Sequence, residues 1–134
     1  MANILIVEDD RDNREVTELI LSDAGYTVVS AGDGRSGLDT ALHVQPDLIV
    51  MDLALPRLDG WEATQHLKAN PDTGHIPIIA FTAHLLQEEL ARAQAAGCAA
   101  VIAKPFEISS LLSQVEAVLA QRGCQRVVGV DPKV

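Results

Sequence analysis

The sequence predicts an α/β fold in which five parallel strands form one sheet covered by helices on both faces, and three observations carry this. Five short apolar runs alternate with five segments of helical periodicity. The runs are near-continuously apolar rather than alternating, as strands buried on both faces must be. Most boundaries carry glycine, proline or an Asp/Asn turn former.

Ile4 to Val7 is the first strand, and it ends in Glu8, Asp9 and Asp10. Between Asn13 and Ala24 the apolar positions Val16, Leu19, Ile20 and, at the end, Ala24 fall at helical spacing, with Gly25 placed to stop the helix. Tyr26 to Ala31 is a strand and Gly32-Asp33-Gly34 a loop. Gly37, Leu38, Ala41, Leu42 and Val44 mark a helix that Pro46 closes. Leu48 to Met51 is the central strand. It delivers Asp52 to its end and runs into the turn segment containing Pro56 and Asp59-Gly60.

Trp61 to Ala69 reads as a helix with Trp61, Ala63, Thr64 and Leu67 inward or half inward. The next strand spans Ile76 to Phe81, with Pro77 confined to its start because proline cannot donate to a central ladder. Thr82 follows it. His84 to Ala96 is helical and capped by Gly97; Ala99 to Ala103 is the last strand, followed by Lys104 and Pro105. The last helix is placed at Ile108 to Gln121, leaving 122–134 as a tail without periodicity. In the flavodoxin-like strand order 2-1-3-4-5, strands one and three are neighbours, which puts Asp9 beside Asp52.

At 134 residues the chain is long enough for one domain to bury roughly two-thirds of its unfolded surface. A net charge of −9 repels a phosphate backbone, and 3% aromatic residues offer few platforms for bases, so direct nucleic-acid binding is excluded as an expectation. Cys98 and Cys124 lack ligand spacing and read as reduced thiols. No apolar run approaches the ~20 residues of a membrane helix, and the N-terminus enters the first strand without a secretory leader, so the expected location is cytoplasmic.

What collects at the carboxyl edge of the sheet is an acid, a hydroxyl or an ammonium from four of the five strands: Glu8-Asp9-Asp10, Asp52, Thr82 and Lys104. Any one of them has a bland explanation; Asp9 or Asp10 could simply cap the following helix. Together they suit phosphoryl transfer. Neighbouring carboxylates repel unless a divalent cation holds them, and a hard, oxygen-liganded ion that keeps its waters is Mg2+. Asp52 is then a shielded nucleophile able to form an acyl phosphate, with Lys104 and Thr82 placed to take phosphoryl oxygens. His43, His66 and His75 show no ligand spacing and read as surface residues.

These residues also carry a resemblance. The chain resembles a response-regulator receiver domain of two-component signalling through Ile4-Leu5-Ile6-Val7-Glu8-Asp9-Asp10, Val50-Met51-Asp52-Leu53, Leu55-Pro56-Arg57-Leu58-Asp59-Gly60, Phe81-Thr82-Ala83 and Lys104-Pro105-Phe106-Glu107. The likeness covers Asn3 to about Gln121, so 1–121 is the expected receiver, with no output domain after it. It implies that Asp52 accepts phosphate from the histidine of a sensor kinase or phosphotransfer protein. It further implies that Asp9, Asp52, the main-chain carbonyl of Ala54 and, partly through water, Glu8 hold Mg2+. Asp10 would begin the first helix. Thr82 and Lys104 match the switch hydroxyl and the phosphate-binding lysine, and the Lys104-Pro105 bond would be cis.

The chain departs from that pattern in two places. Val101 stands three residues before the lysine, where the family usually has Tyr or Phe, so no ring can act as a rotamer switch there. Ala54 puts no side chain over the phosphate, whereas His84 stands two residues past Thr82; these positions usually set how fast phosphate is lost. The resemblance implies a signalling protein rather than an enzyme. It places the output face on the fourth helix, fifth strand and fifth helix around Leu85, Leu86 and Val101, and the kinase contact on the first helix near Arg14. Two rivals are an interaction module that never carries phosphate and an aspartate-nucleophile phosphohydrolase. The second lacks the acid usually found two residues after the nucleophile, where this chain has Ala54.

Overall fold

A computed structural model describes residues 2–53, 60–82, 87–103 and 107–128. Strands and helices alternate as β1 (Asn3–Val7), α1 (Arg11–Asp23), β2 (Thr27–Ala31), α2 (Gly34–Val44), β3 (Leu48–Asp52), α3 (Gly60–Ala69), β4 (Ile78–Thr82), α4 (Gln87–Ala96), β5 (Ala100–Ala103) and α5 (Ile108–Val128). All neighbours pair in parallel in the order β2-β1-β3-β4-β5, as expected. Pro77 precedes β4 and its carbonyl accepts the Ile49 N–H, so proline sits where no strand donor is lost.

Because successive side chains of a strand point to opposite faces, each buried strand feeds two cores. Leu5, Val7, Ile49, Met51, Ile78 and Ala80 pack with Ala41, Ala63 and Leu67 from α2 and α3. Their neighbours Ile4, Ile6, Leu48, Val50, Ile79 and Phe81 pack with Leu21 of α1 and Leu111, Val115 and Val118 of α5. Gly37 shows how tightly α2 seats on β1: a Cβ there would lie 2.8 Å from Cγ2 of Val7. At the opposite edge of the sheet from the acids, Asp47 ties the starts of β1 and β3, accepting the Asn3 N–H at 2.8 Å and donating its own to Asn3.

Two expectations are corrected. On α1 the inward residues are Thr17 and Leu21, with Ile20 partly buried, whereas Val16 and Leu19 are 54% and 70% exposed. The helix starts at Arg11 after the Asp10 cap, and it docks with Thr17 and Leu21 toward the sheet; the buried Thr17 hydroxyl bonds to the Asn13 carbonyl one turn back at 2.9 Å. On α5 the helix continues through Val128 instead of stopping at Gln121. No proline interrupts it before Pro132, and Gly123 alone costs only about 1 kcal/mol relative to alanine, too little to end a helix already docked by its first half.

Candidate functional site

The site is assembled by strand register. Val7 lies opposite Met51 in the β1–β3 ladder, so the next residues, Glu8 and Asp52, emerge side by side at the carboxyl edge. The ladder persists past the strand ends: the Glu8 N–H donates to the Ala31 carbonyl at 3.0 Å, and that of Leu53 to the Phe81 carbonyl at 3.0 Å. Asp52 pairs in register with Phe81, which places Thr82 at the same rim. Such an edge, outside the carboxyl ends of parallel strands, is where open α/β sheets bind ligands.

One carboxylate oxygen from each of Glu8, Asp9 and Asp52 lies within 4.8 Å of the other two. Glu8, Asp52 and Thr82 are buried and Asp9 is exposed, so the cluster opens to solvent on the Asp9 side. Among the described residues this is the one group of three or more acids, histidines or cysteines close enough to share an ion. Two oxygens on a common Mg2+ at about 2.1 Å stand about 3 Å apart when adjacent and about 4.2 Å when opposite. Carboxylate oxygens gathered this closely suit a shared hard ion with oxygen ligands.

Asp10 is not part of the cluster. Its Oδ1 accepts the N–H groups of Asp12 and Asn13 at 2.9 and 3.2 Å, capping α1, as the sequence suggested. The buried Glu8 carboxylate also receives the Asp10 N–H at 3.3 Å. Ala54, His84, Leu85, Leu86, Lys104 and Pro105 lie outside the described residues; β5 ends at Ala103, one residue before Lys104. His43, His66 and His75 are exposed. Val101 is half-buried against the same core as Trp61.

Two features escaped the sequence. The Nη1 of Arg14, a residue the resemblance places at the kinase contact, also donates to the Glu8 carbonyl at 3.0 Å. The signal was present, since long helical side chains lean back toward the N-terminus and Arg14 stands one turn after the Asp10 cap. The stacking of Arg92 on Trp61 had no such signal, because it joins separate helices.

Comparison with known proteins agrees with this architecture. The family described as the response regulator receiver domain matches residues 4–116. The polar-differentiation response regulator DivK of Brucella anthropi is 33% identical over 117 residues, 87% of this chain and 95% of its own. The chemotaxis protein CheY4 of Vibrio cholerae superimposes with a TM-score of 0.84 at 30% identity, covering 88% of this chain and 98% of that one. A receiver domain of a Pseudomonas aeruginosa sensor histidine kinase, solved with a magnesium ion coordinated in its active-site cleft, gives a TM-score of 0.82 at 35% identity over 89% of this chain and 98% of that one. No helix among the described residues is long and apolar enough to cross a membrane. By sequence and by fold, the chain belongs to the response regulator receiver domains of two-component signalling.

Proposed function

We propose that the protein accepts a phosphoryl group on Asp52 from the phosphohistidine of a sensor kinase or phosphotransfer protein and thereby changes its affinity for a downstream protein. The observation that carries this is the grouping of Glu8, Asp9 and Asp52 within 4.8 Å at the sheet rim. Asp9, Asp52 and, by the family resemblance, the Ala54 carbonyl would hold Mg2+, with Glu8 partly through water, and the bound ion would supply positive charge to the phosphoryl oxygens.

Asp52 is fixed in β3 between β1 and β4, so its carboxylate is aimed without further ordering. One of its oxygens forms a bond to phosphorus while the phosphorus–nitrogen bond of the donor breaks, leaving the electron pair on the imidazole. The Thr82 hydroxyl, at the end of β4, and the Lys104 ammonium, just past β5, each receive one phosphoryl oxygen. Any hydrolysis is of the protein's own acyl phosphate, since Ala54 leaves no acid at the position a phosphohydrolase would use.

Phosphate then biases a population of two conformers, and the binding face comprises α4, β5 and α5. With valine at position 101, that bias travels without an aromatic rotamer, so Val101→Tyr alters partner binding more than phosphorylation. The direct test is mass spectrometry after incubation with Mg2+ and acetyl phosphate. The wild type gains one phosphoryl group and Asp52→Asn gains none; label on another residue refutes the assignment.

A further inference from the structure

Residue 8 is held by both of its main-chain groups. Its N–H donates to the Ala31 carbonyl of β2 at 3.0 Å, and its carbonyl receives Nη1 of Arg14 at 3.0 Å. The half-buried Arg14 also reaches the residue following β2: a Cβ built on Gly32 would touch its Nη1 at 3.4 Å. That carbonyl belongs to the peptide joining Glu8 to Asp9. Rotating the peptide would swing the Asp9 carboxylate away from Asp52, because only one residue separates the end of β1 from Asp9.

We infer that Arg14 is a positioning residue for the cation site, acting by fixing the Glu8–Asp9 peptide; the inference rests on the cation-binding reading above. A guanidinium bonded to the main chain between Glu8 and Asp9 has two opposed effects on a divalent ion held by the neighbouring carboxylates. Its charge repels the ion, whereas its hydrogen bond keeps the carboxylates in place. Removing it therefore tightens binding if charge dominates and weakens binding if orientation does. Groups that orient a metal's ligands without touching the metal commonly change its affinity by about 10–100-fold, so orientation is the larger effect. Lysine keeps the charge and can donate one hydrogen bond, the number Arg14 makes to Glu8.

The experiment is Mg2+ titration by calorimetry and Trp61 fluorescence on the wild type, Arg14→Met, Arg14→Lys and Gly32→Val, with thermal unfolding in chelator as a check on folding. Arg14→Met should weaken Mg2+ binding about tenfold, and Arg14→Lys should recover most of that loss. Gly32→Val leaves the charge in place and adds γ-carbons beyond a Cβ already in contact with Nη1, so it should displace the guanidinium and weaken binding too; it serves alone if Arg14→Met does not fold. Unchanged or tighter binding in Arg14→Met, or in Gly32→Val where it stands alone, overturns the inference, as does a lysine that restores nothing. A wild type that binds no Mg2+ instead overturns the cation site itself.

Discussion

The guanidinium of Arg92 in α4 lies over the Trp61 ring at the start of α3, 4.3 Å from its centroid. Cation–π pairs at exposed sites are worth about 0.5–1 kcal/mol, and this one joins the helix that follows the Asp52 loop to a helix of the proposed output face. Arg92→Ala should lower stability by about that amount and alter Trp61 emission, with Arg92→Lys intermediate. Trp61 is the single tryptophan, so the signal is unambiguous, and identical emission spectra would rule the contact out.

Adjacent acids should behave oppositely. Asp10 caps α1, so Asp10→Ala should cost about 1 kcal/mol of stability while leaving Mg2+ affinity within about twofold of the wild type. Asp9 belongs to the cluster, so Asp9→Ala should weaken Mg2+ binding roughly tenfold or more and leave the metal-free protein as stable, since it removes a repulsive charge. Calorimetric titration paired with thermal unfolding separates the two roles; exchanged phenotypes would reverse them.

Gly37 lies inside α2, where alanine would ordinarily gain about 1 kcal/mol. A Cβ there meets Cγ2 of Val7 at 2.8 Å, so overpacking outweighs propensity and Gly37→Ala should destabilise by about 1–3 kcal/mol. The double substitution Gly37→Ala with Val7→Ala should cost less than the sum of the single changes, as a urea double-mutant cycle would reveal. Strict additivity would mean that the two side chains do not collide.

Burial pushes the Cys98 thiol from 9.0 up to about 11, against the opposing pull of the Lys68 ammonium and the Thr64 hydroxyl. Unfolded, the thiol ionises near 9, so between pH 9 and 11 the unfolded chain loses a proton that the folded chain keeps. The stability it contributes is complete below pH 9 and is lost as pH rises toward 11. Lys68, whose pKa burial lowers, acts in the opposite direction, so the thiol is isolated by comparison with Cys98→Ala. Urea midpoints should fall more steeply with alkaline pH in the wild type than in Cys98→Ala; parallel profiles would contradict the buried thiol.

Much of this protein could be read along the chain because it is written in local terms. Five apolar runs too short for helices, the glycines and prolines between them, and an acid at the end of the third run determined a doubly wound parallel sheet and its chemical edge. A cap at Asp9 or Asp10 was legible for the same reason, since a cap bonds to N–H groups two and three residues away, and the structure gives that part to Asp10. Tertiary structure decided what depends on residues distant in sequence. Register placed Asp52 against Glu8 and Asp9, and helix docking chose Thr17 and Leu21 over Val16 and Leu19 as the buried face of α1. Periodicity names a face only by its apolar residues, but the angle at which a capped helix meets a sheet selects the side chains that lose their water. The stacking of Arg92 on Trp61 likewise exists only because packing brings separate helices within a few ångströms, a distance that spacing along the chain does not encode.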